Sequence, residues 1–392
     1  MKRLAAPLLR ALFCALAAAL LAACATPPVP APPPDPLFHD SLFKAPARPI
    51  DAADVFALSE PMKHYLRVDI ARRLRNEGLQ RGLINALYTH GELKLDYDSA
   101  ITRNAAEAFD ARSGNCLSLL IMTAAFAKEL GLHVTYQSVE MDETWSRSDD
   151  LAFSNGHVNL VLAGRMGRLS PGFDETKLLT IDFLPAEDIL GQRTRPISED
   201  TVIAMYMNNR AAEALARGEL DAAYAWARAA LVSAPSFSSA HNTLGVIYLR
   251  HGNLREAQAV LEPLLQREPQ NRQALSNLAM VDERLGQGEA AQALRARLAR
   301  IEPDPPYAFF RSGLAAMRRG DYLSARALFA REIARADYNS EFHFWFAIAN
   351  LKLGDVEQAR KHLAIAMDNS TTRGDHDLYA AKLDRLRALQ TQ

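Results

Sequence analysis

Five glycines, Gly218, Gly252, Gly286, Gly320 and Gly354, recur every 34 residues through the second half of the chain. Each is followed by a polar residue (Glu219, Asn253, Gln287, Asp321, Asp355) and, five positions on, by alanine (Ala223, Ala257, Ala291, Ala325, Ala359). Pro235, Pro269 and Pro303 keep the same register in three of the units. Glycine ends a helix and turns the chain tightly because it tolerates positive φ. The alanine lets a second helix approach the first, and proline stops that helix before the next unit. A helix pair of this size cannot cover its own apolar stripe, so the spacing predicts neighbours stacked into a solenoid.

The stretch His241-Asn-Thr-Leu-Gly-Val-Ile-Tyr248, continuing through Ala257 to Pro269, resembles the tetratricopeptide repeat. The resemblance runs from about Ala204 to Asn369. It implies an array over 204–371 of about five units, with a helix or tail over 372–392. It also implies a surface that binds a protein or peptide partner. Arg210 departs from the pattern, standing where the first unit would carry an apolar residue. The aromatic run Phe342-His-Phe-Trp-Phe346 reads as core packing of the last units, since aromatics mostly bury.

The amino terminus has a different character. Lys2 and Arg3 precede an apolar run from Ala11 to Ala23, too short for a comfortable membrane span. Leu21-Ala22-Ala23-Cys24 resembles the lipobox of bacterial lipoproteins. The resemblance implies a signal over 1–23 and lipid on Cys24, with Ala25 favouring the outer membrane and a body facing the periplasm. An ordinary cleaved signal or an uncleaved anchor helix is the alternative. Residues 24–49 are expected to form a tether, stiffened by the prolines between Thr26 and Pro36. A net charge of −1 offers no basic field, so nucleic acid is not an expected partner.

Three cysteines then reduce to one: Cys14 leaves with the signal, Cys24 carries lipid, and Cys116 stays in the body. A lone thiol in an oxidising compartment has to be buried, inert or useful.

Between tether and repeats, residues 50–200 mix helices and strands. Ser59-Glu60-Pro61 has the form of a helix start, and an amphipathic stretch follows through Tyr65, Leu66, Ile70, Leu74 and Leu79. After Ser113-Gly114-Asn115 the residues are apolar nearly all round until Gly131, which predicts a buried helix beginning near Cys116. A thiol there meets the positive end of the helix dipole and unpaired N–H groups, which favour thiolate and suit a developing oxyanion. Asn115 is the candidate for supporting that turn. Strands are expected over 133–140, 156–162 and 178–183. With a period of two, His157 and Asn159 share one face of the second and Asp182 the matching face of the third.

Gly114-Asn-Cys-Leu-Ser118, Gly156-His-Val-Asn159 and Thr180-Ile-Asp-Phe183 resemble the three motifs of the transglutaminase-like superfamily, whose core resembles papain-like thiol proteases. The implied fold is α+β, a transglutaminase-like domain followed by an all-α tetratricopeptide-repeat solenoid. The implied roles are Cys116 as nucleophile, His157 as base and Asp182 as the group that orients the imidazole. The implied reaction is amide cleavage or exchange through a thioester, without cofactor. Taken singly, Cys116 reads as a small core residue, His157 as a hydrogen-bonded structural histidine and Asp182 as a strand-edge carboxylate. His133 is a second candidate base. No metal site is expected, because the histidines show no ligand spacing. Leu117 follows the cysteine where cross-linking members carry tryptophan; the nearest one, Trp145, reads as part of a loop. Asp110 stands where papain-like enzymes place a glutamine. These departures leave hydrolysis, or a non-catalytic scaffold built on a retired fold, as the two readings.

Overall fold

The computed structural model describes residues 37–89, 96–98, 101–148, 151–164, 178–183, 192–370 and 372–390. The signal, Cys24 and the proline-rich stretch lie outside the described residues. Three short helices lead: α1 (Glu60–His64), α2 (Ala71–Glu77) and α3 (Leu79–Ile84). Ser59 caps α1, with Pro61 in its first turn where no N–H is missed. Helix α4 (Ala105–Ala111) opens with a complete capping box between Asn104 and Glu107. Helix α5 (Cys116–Glu129) follows, and 11 of its residues, Leu117 to Ala127, are buried. An apolar surface all round belongs at the centre, and Leu120, Ile121, Met122 and Phe126 share a core with Met62, Leu83 and Leu160.

Strands β1 (Asp96–Tyr97) and β2 (Ser113–Gly114) form a short parallel pair beside the start of α5. The main sheet is antiparallel, in the order β5-β4-β3-β6: β3 (His133–Ser148), β4 (Leu151–Ala163), β5 (Leu179–Ile181) and β6 (Arg193–Ile197). Two features differ from expectation. The segment around Trp145 is strand, not loop, because β3 and β4 extend into a long hairpin with Trp145 paired to Ser154. A register shift between Val139 and Thr144 absorbs the acidic interruption at Asp142-Glu143, after which the pairing resumes. Strand β6 carries no apolar alternation and was invisible to a periodicity reading. It is an edge strand, which is where Pro196 is tolerated.

The array begins at Glu199, under a Ser198 cap, and contains five helix pairs. They are α6 (Glu199–Ala216) with α7 (Leu220–Ser233), α8 (Ser238–His251) with α9 (Leu254–Arg267), α10 (Arg272–Arg284) with α11 (Gly288–Ile301), α12 (Ala308–Arg318) with α13 (Tyr322–Ile333), and α14 (Ser340–Lys352) with α15 (Val356–Asp368). A last helix, α16 (Arg373–Gln390), covers the end. All five periodic glycines have positive φ, between 76° and 94°, as the turn reading requires. In the aromatic run Phe342 and His343 are buried, and Phe344, Trp345 and Phe346 pack against the cores of the last units.

One continuous core runs from Leu37 through the α5 layer to Val281, joining the mixed domain to the first three repeat units. It stops at α11, where Ala291 alone is buried, and a separate core starts at Tyr307. The chain between them carries Pro303, Pro305 and Pro306.

The end of the segment expected as tether is not free. Tyr248 OH donates to Leu37 O at 3.0 Å and accepts from His39 N–H at 3.2 Å. Asp40 accepts from Tyr224 OH at 2.6 Å and Arg228 Nε at 2.9 Å, and Phe43 stacks on Tyr224. Phe43 and Asp40 in Leu37-Phe-His-Asp-Ser-Leu-Phe43 give this stretch the groups that seat it on Tyr224 and Arg228.

Candidate active site

Cys116 is the first residue of α5 and is partly exposed; among the described residues it is the free cysteine. Asn115 is the cap. Its Oδ1 accepts from Ser118 N–H at 2.9 Å and from Ser118 Oγ at 2.8 Å, and its Nδ2 donates to Thr102 Oγ1 at 2.8 Å. Both ends of the amide are thus occupied within the protein. The support expected of Asn115 is therefore given to the helix turn. The N–H groups of Cys116 and Leu117 remain in the first turn, where a helix supplies no acceptor of its own.

The sheet delivers the other two groups. Leu160 pairs with Ile181 across β4 and β5, so continuing the register sets Asp182 against Asn159, with His157 two positions along. His157 Nε2 lies 2.6 Å from Asp182 Oδ1, and both side chains are over 90% buried. Asn159 Nδ2 donates to Asp182 Oδ2 at 3.1 Å, so each carboxylate oxygen has a partner. Nε2 serves Asp182, and Cys116 lies close enough to the same ring to act on its charge. Burial opposes the charge on His157, but hydrogen bonds to Asp182 and Cys116 and their charges outweigh it and raise the imidazole to about 9.

The three expected residues therefore come together in the order thiol, imidazole, carboxylate. That arrangement is chemically suited to nucleophilic attack by sulfur, with the imidazole beside it to carry the proton. His133 does not join them. It is exposed at the start of β3, beyond the far end of α5, roughly 20 Å along the helix from Cys116. Among the described residues no cluster of three metal-ligating side chains occurs.

Two contributors were missed. Asn159 shares the His157 face, so the period of two already placed it near Asp182, yet no role followed from that. Thr102 had no signal, because its part depends on a contact with residues more than 100 positions away.

The family profile of the tetratricopeptide repeat matches residues 248–311. The carboxy-terminal helices are tetratricopeptide repeats. Among solved structures, the chain is similar to the thermophilic tetratricopeptide protein TTC0263 of Thermus thermophilus, at 21% identity and a TM-score of 0.30, covering 46% of this chain and 98% of that one. It is also similar to YrrB, a tetratricopeptide protein described as having an unusual peptide-binding site, at 22% identity and a TM-score of 0.25, covering 46% and 92%. Pseudomonas aeruginosa PilF matches at 17% identity and a TM-score of 0.27, covering 47% and 91%. No curated protein sequence matches the chain.

Proposed function

We propose that this chain is an envelope-anchored thiol hydrolase of transglutaminase-like fold, whose tetratricopeptide array recruits a protein or peptide. One observation carries the reading: His157 is hydrogen-bonded to Asp182 at 2.6 Å, and its charge is felt by a cysteine at the first position of a buried helix. In this reading the Cys116 thiolate attacks an amide carbonyl and the first-turn N–H groups of α5 hold the oxyanion. The C–N bond breaks as His157 passes its proton to the leaving amine. Water then attacks the thioester, His157 takes the water's proton, and the sulfur leaves as thiolate. Asp182, fixed by Asn159, keeps the ring oriented through both halves.

Lipid on Cys24 would hold the protein at the outer membrane, facing the periplasm. The tether would then reach the body at α7 and α8, where Leu37 to Lys44 dock, so that the array stands nearest the membrane. Tetratricopeptide repeats as a class bind protein or peptide partners, which suits recruitment of a substrate or an assembly partner.

The test is alkylation of Cys116 by iodoacetamide over a pH series, with His157→Ala alongside. Fast labelling below neutral pH that is lost in the variant supports the hydrolase. An ordinary thiol profile in both proteins leaves the array as the functional part and Cys116 as a retired residue.

A further inference from the structure

We propose that Thr102 is a positioning residue for Cys116 and that the repeat array holds it in place through Arg210 and Glu213 of α6. The proposal rests on the thiol reading above and concerns how its nucleophile is set.

The contacts form one chain. Glu213 Oε1 accepts the Thr102 N–H at 2.6 Å, and Arg210 Nη1 donates to the Thr102 carbonyl at 3.3 Å. Both polar groups of that backbone unit are thus fixed from α6. The Thr102 side chain, at 1% exposure, receives Asn115 Nδ2 on Oγ1. The next residue is tied to the same turn, since Arg103 N–H donates to Ser118 Oγ at 2.8 Å and its guanidinium meets Asp98 at 3.2 Å. Residues 102 and 103 are a two-residue clamp, gripped by the array on one side and gripping the α5 cap on the other.

An amide cap can turn end for end, and only one orientation gives Ser118 N–H an acceptor. Thr102 selects that orientation because its hydroxyl hydrogen goes to Glu213, which leaves Oγ1 as an acceptor for Nδ2. Without it, the first turn of α5 loses its fixed cap, and with it the aim of the Cys116 and Leu117 N–H groups and of the sulfur. A hydrogen-bonded support of this kind acts through another residue, as outer partners orient ligands at metal sites.

This accounts for the departure of the first unit from the repeat pattern. Arg210 replaces an apolar residue because it works outward: it pairs with Glu213 at 3.6 Å and Glu107 at 3.5 Å, and lies over Trp226 at 5.2 Å. Helix α6 is thus both the first helix of the array and the anchor of the segment that holds the α5 cap. A partner that shifts α6 acts on Cys116 through three hydrogen-bonded groups.

The experiment uses the full chain and reads the pH profile of Cys116 alkylation beside thermal melting. Thr102→Val and Glu213→Leu are expected to slow labelling at pH 6 about tenfold or more, with little change at pH 9, while Thr102→Ser and Glu213→Gln restore it. Variants that melt lower but keep the wild-type pH profile would overturn the proposal, because a merely structural role predicts that result. His157→Ala separates the two levels. If it moves the profile and Thr102→Val does not, positioning alone fails. If neither moves it and wild type labels like a free thiol, the hydrolase reading fails with it.

Discussion

His343 and His362 meet Nδ1 to Nδ1 at 2.8 Å across α14 and α15, with their rings stacked 5.0 Å apart. His343 Nε2 lies 2.8 Å from the carbonyl of Asp337, which requires a proton there and makes its Nδ1 the acceptor from His362. His343 is therefore neutral, and burial favours the neutral form of His362 as well. Burial lowers His343 against the opposing pull of Asp337, and burial, His343 and Lys361 push His362 down to about 4. A proton added to His343 Nδ1 would set two N–H groups against each other.

Acid should consequently loosen the last repeat unit. A histidine depressed by folding contributes stability that is full above its unfolded value near 6.5 and is lost as pH falls toward 4. The melting temperature is expected to drop by several degrees between pH 7 and pH 5, and His362→Phe should reduce that drop by about half. Equal slopes in the two proteins would exclude the pair as the cause.

His157 has the opposite sign. Its folded value is raised to about 9, so its contribution is fully present below about 6.5 and is lost as pH rises through 9. Comparing melting of wild type and His157→Gln, the gap should be widest near pH 6 and close by about pH 10. A gap that is constant with pH would show that the ring stabilises by packing alone.

Two glycines inside the helix pairs mark close approaches. A Cβ on Gly313 would stand 2.5 Å from the Phe329 ring, and one on Gly245 2.7 Å from the Leu261 side chain. Overpacking of this kind costs roughly 1–3 kcal/mol. Gly313→Ala should lower stability in urea by about that amount, and adding Phe329→Leu should recover part of it. Strict additivity of the two substitutions would mean that the contact is not the source of the loss.

The repeat half was legible because its signal is periodic: Gly218 to Gly354 mark every turn, and the alanines five residues later mark each close helix contact. At the site, Cys116 was readable from the apolar helix behind it, and His157 and Asp182 from strand alternation. What escaped depends on contacts distant in sequence. Thr102 matters through residues 210 and 213, and β6 exists only because β3 offers it an edge. Asn115 read as support for the turn, but its partner on Thr102 had no signal in the sequence. The shared core that crosses the expected boundary between domains is likewise a product of contacts distant in sequence.

The docked stretch ahead of the mixed domain allows a last prediction. Phe43 lies 4.0 Å from the Tyr224 ring at an interplanar angle of 7°, and it also meets His251 at 4.6 Å. Lys44 N–H is held by Asp221 Oδ1 at 3.0 Å, and His39 N–H by Tyr248 OH at 3.2 Å. The tyrosine hydrogen bond is the largest influence on Asp40 and, with Arg228 adding to it, holds the carboxyl below its usual range against the cost of burial. Stacking of this type adds about 0.5–1.5 kcal/mol beyond the area buried. That is enough to hold a short segment closed yet too little to decide global folding. Phe43→Ala should therefore speed hydrogen exchange at the His39 and Lys44 amides by about tenfold or more, while the array melts as before. Amides that stay protected in the variant would show that Leu37 and Asp40 suffice to seat the segment. Asp40→Asn then becomes the substitution that frees it, because an amide keeps the tyrosine contact but gives up the charge facing Arg228.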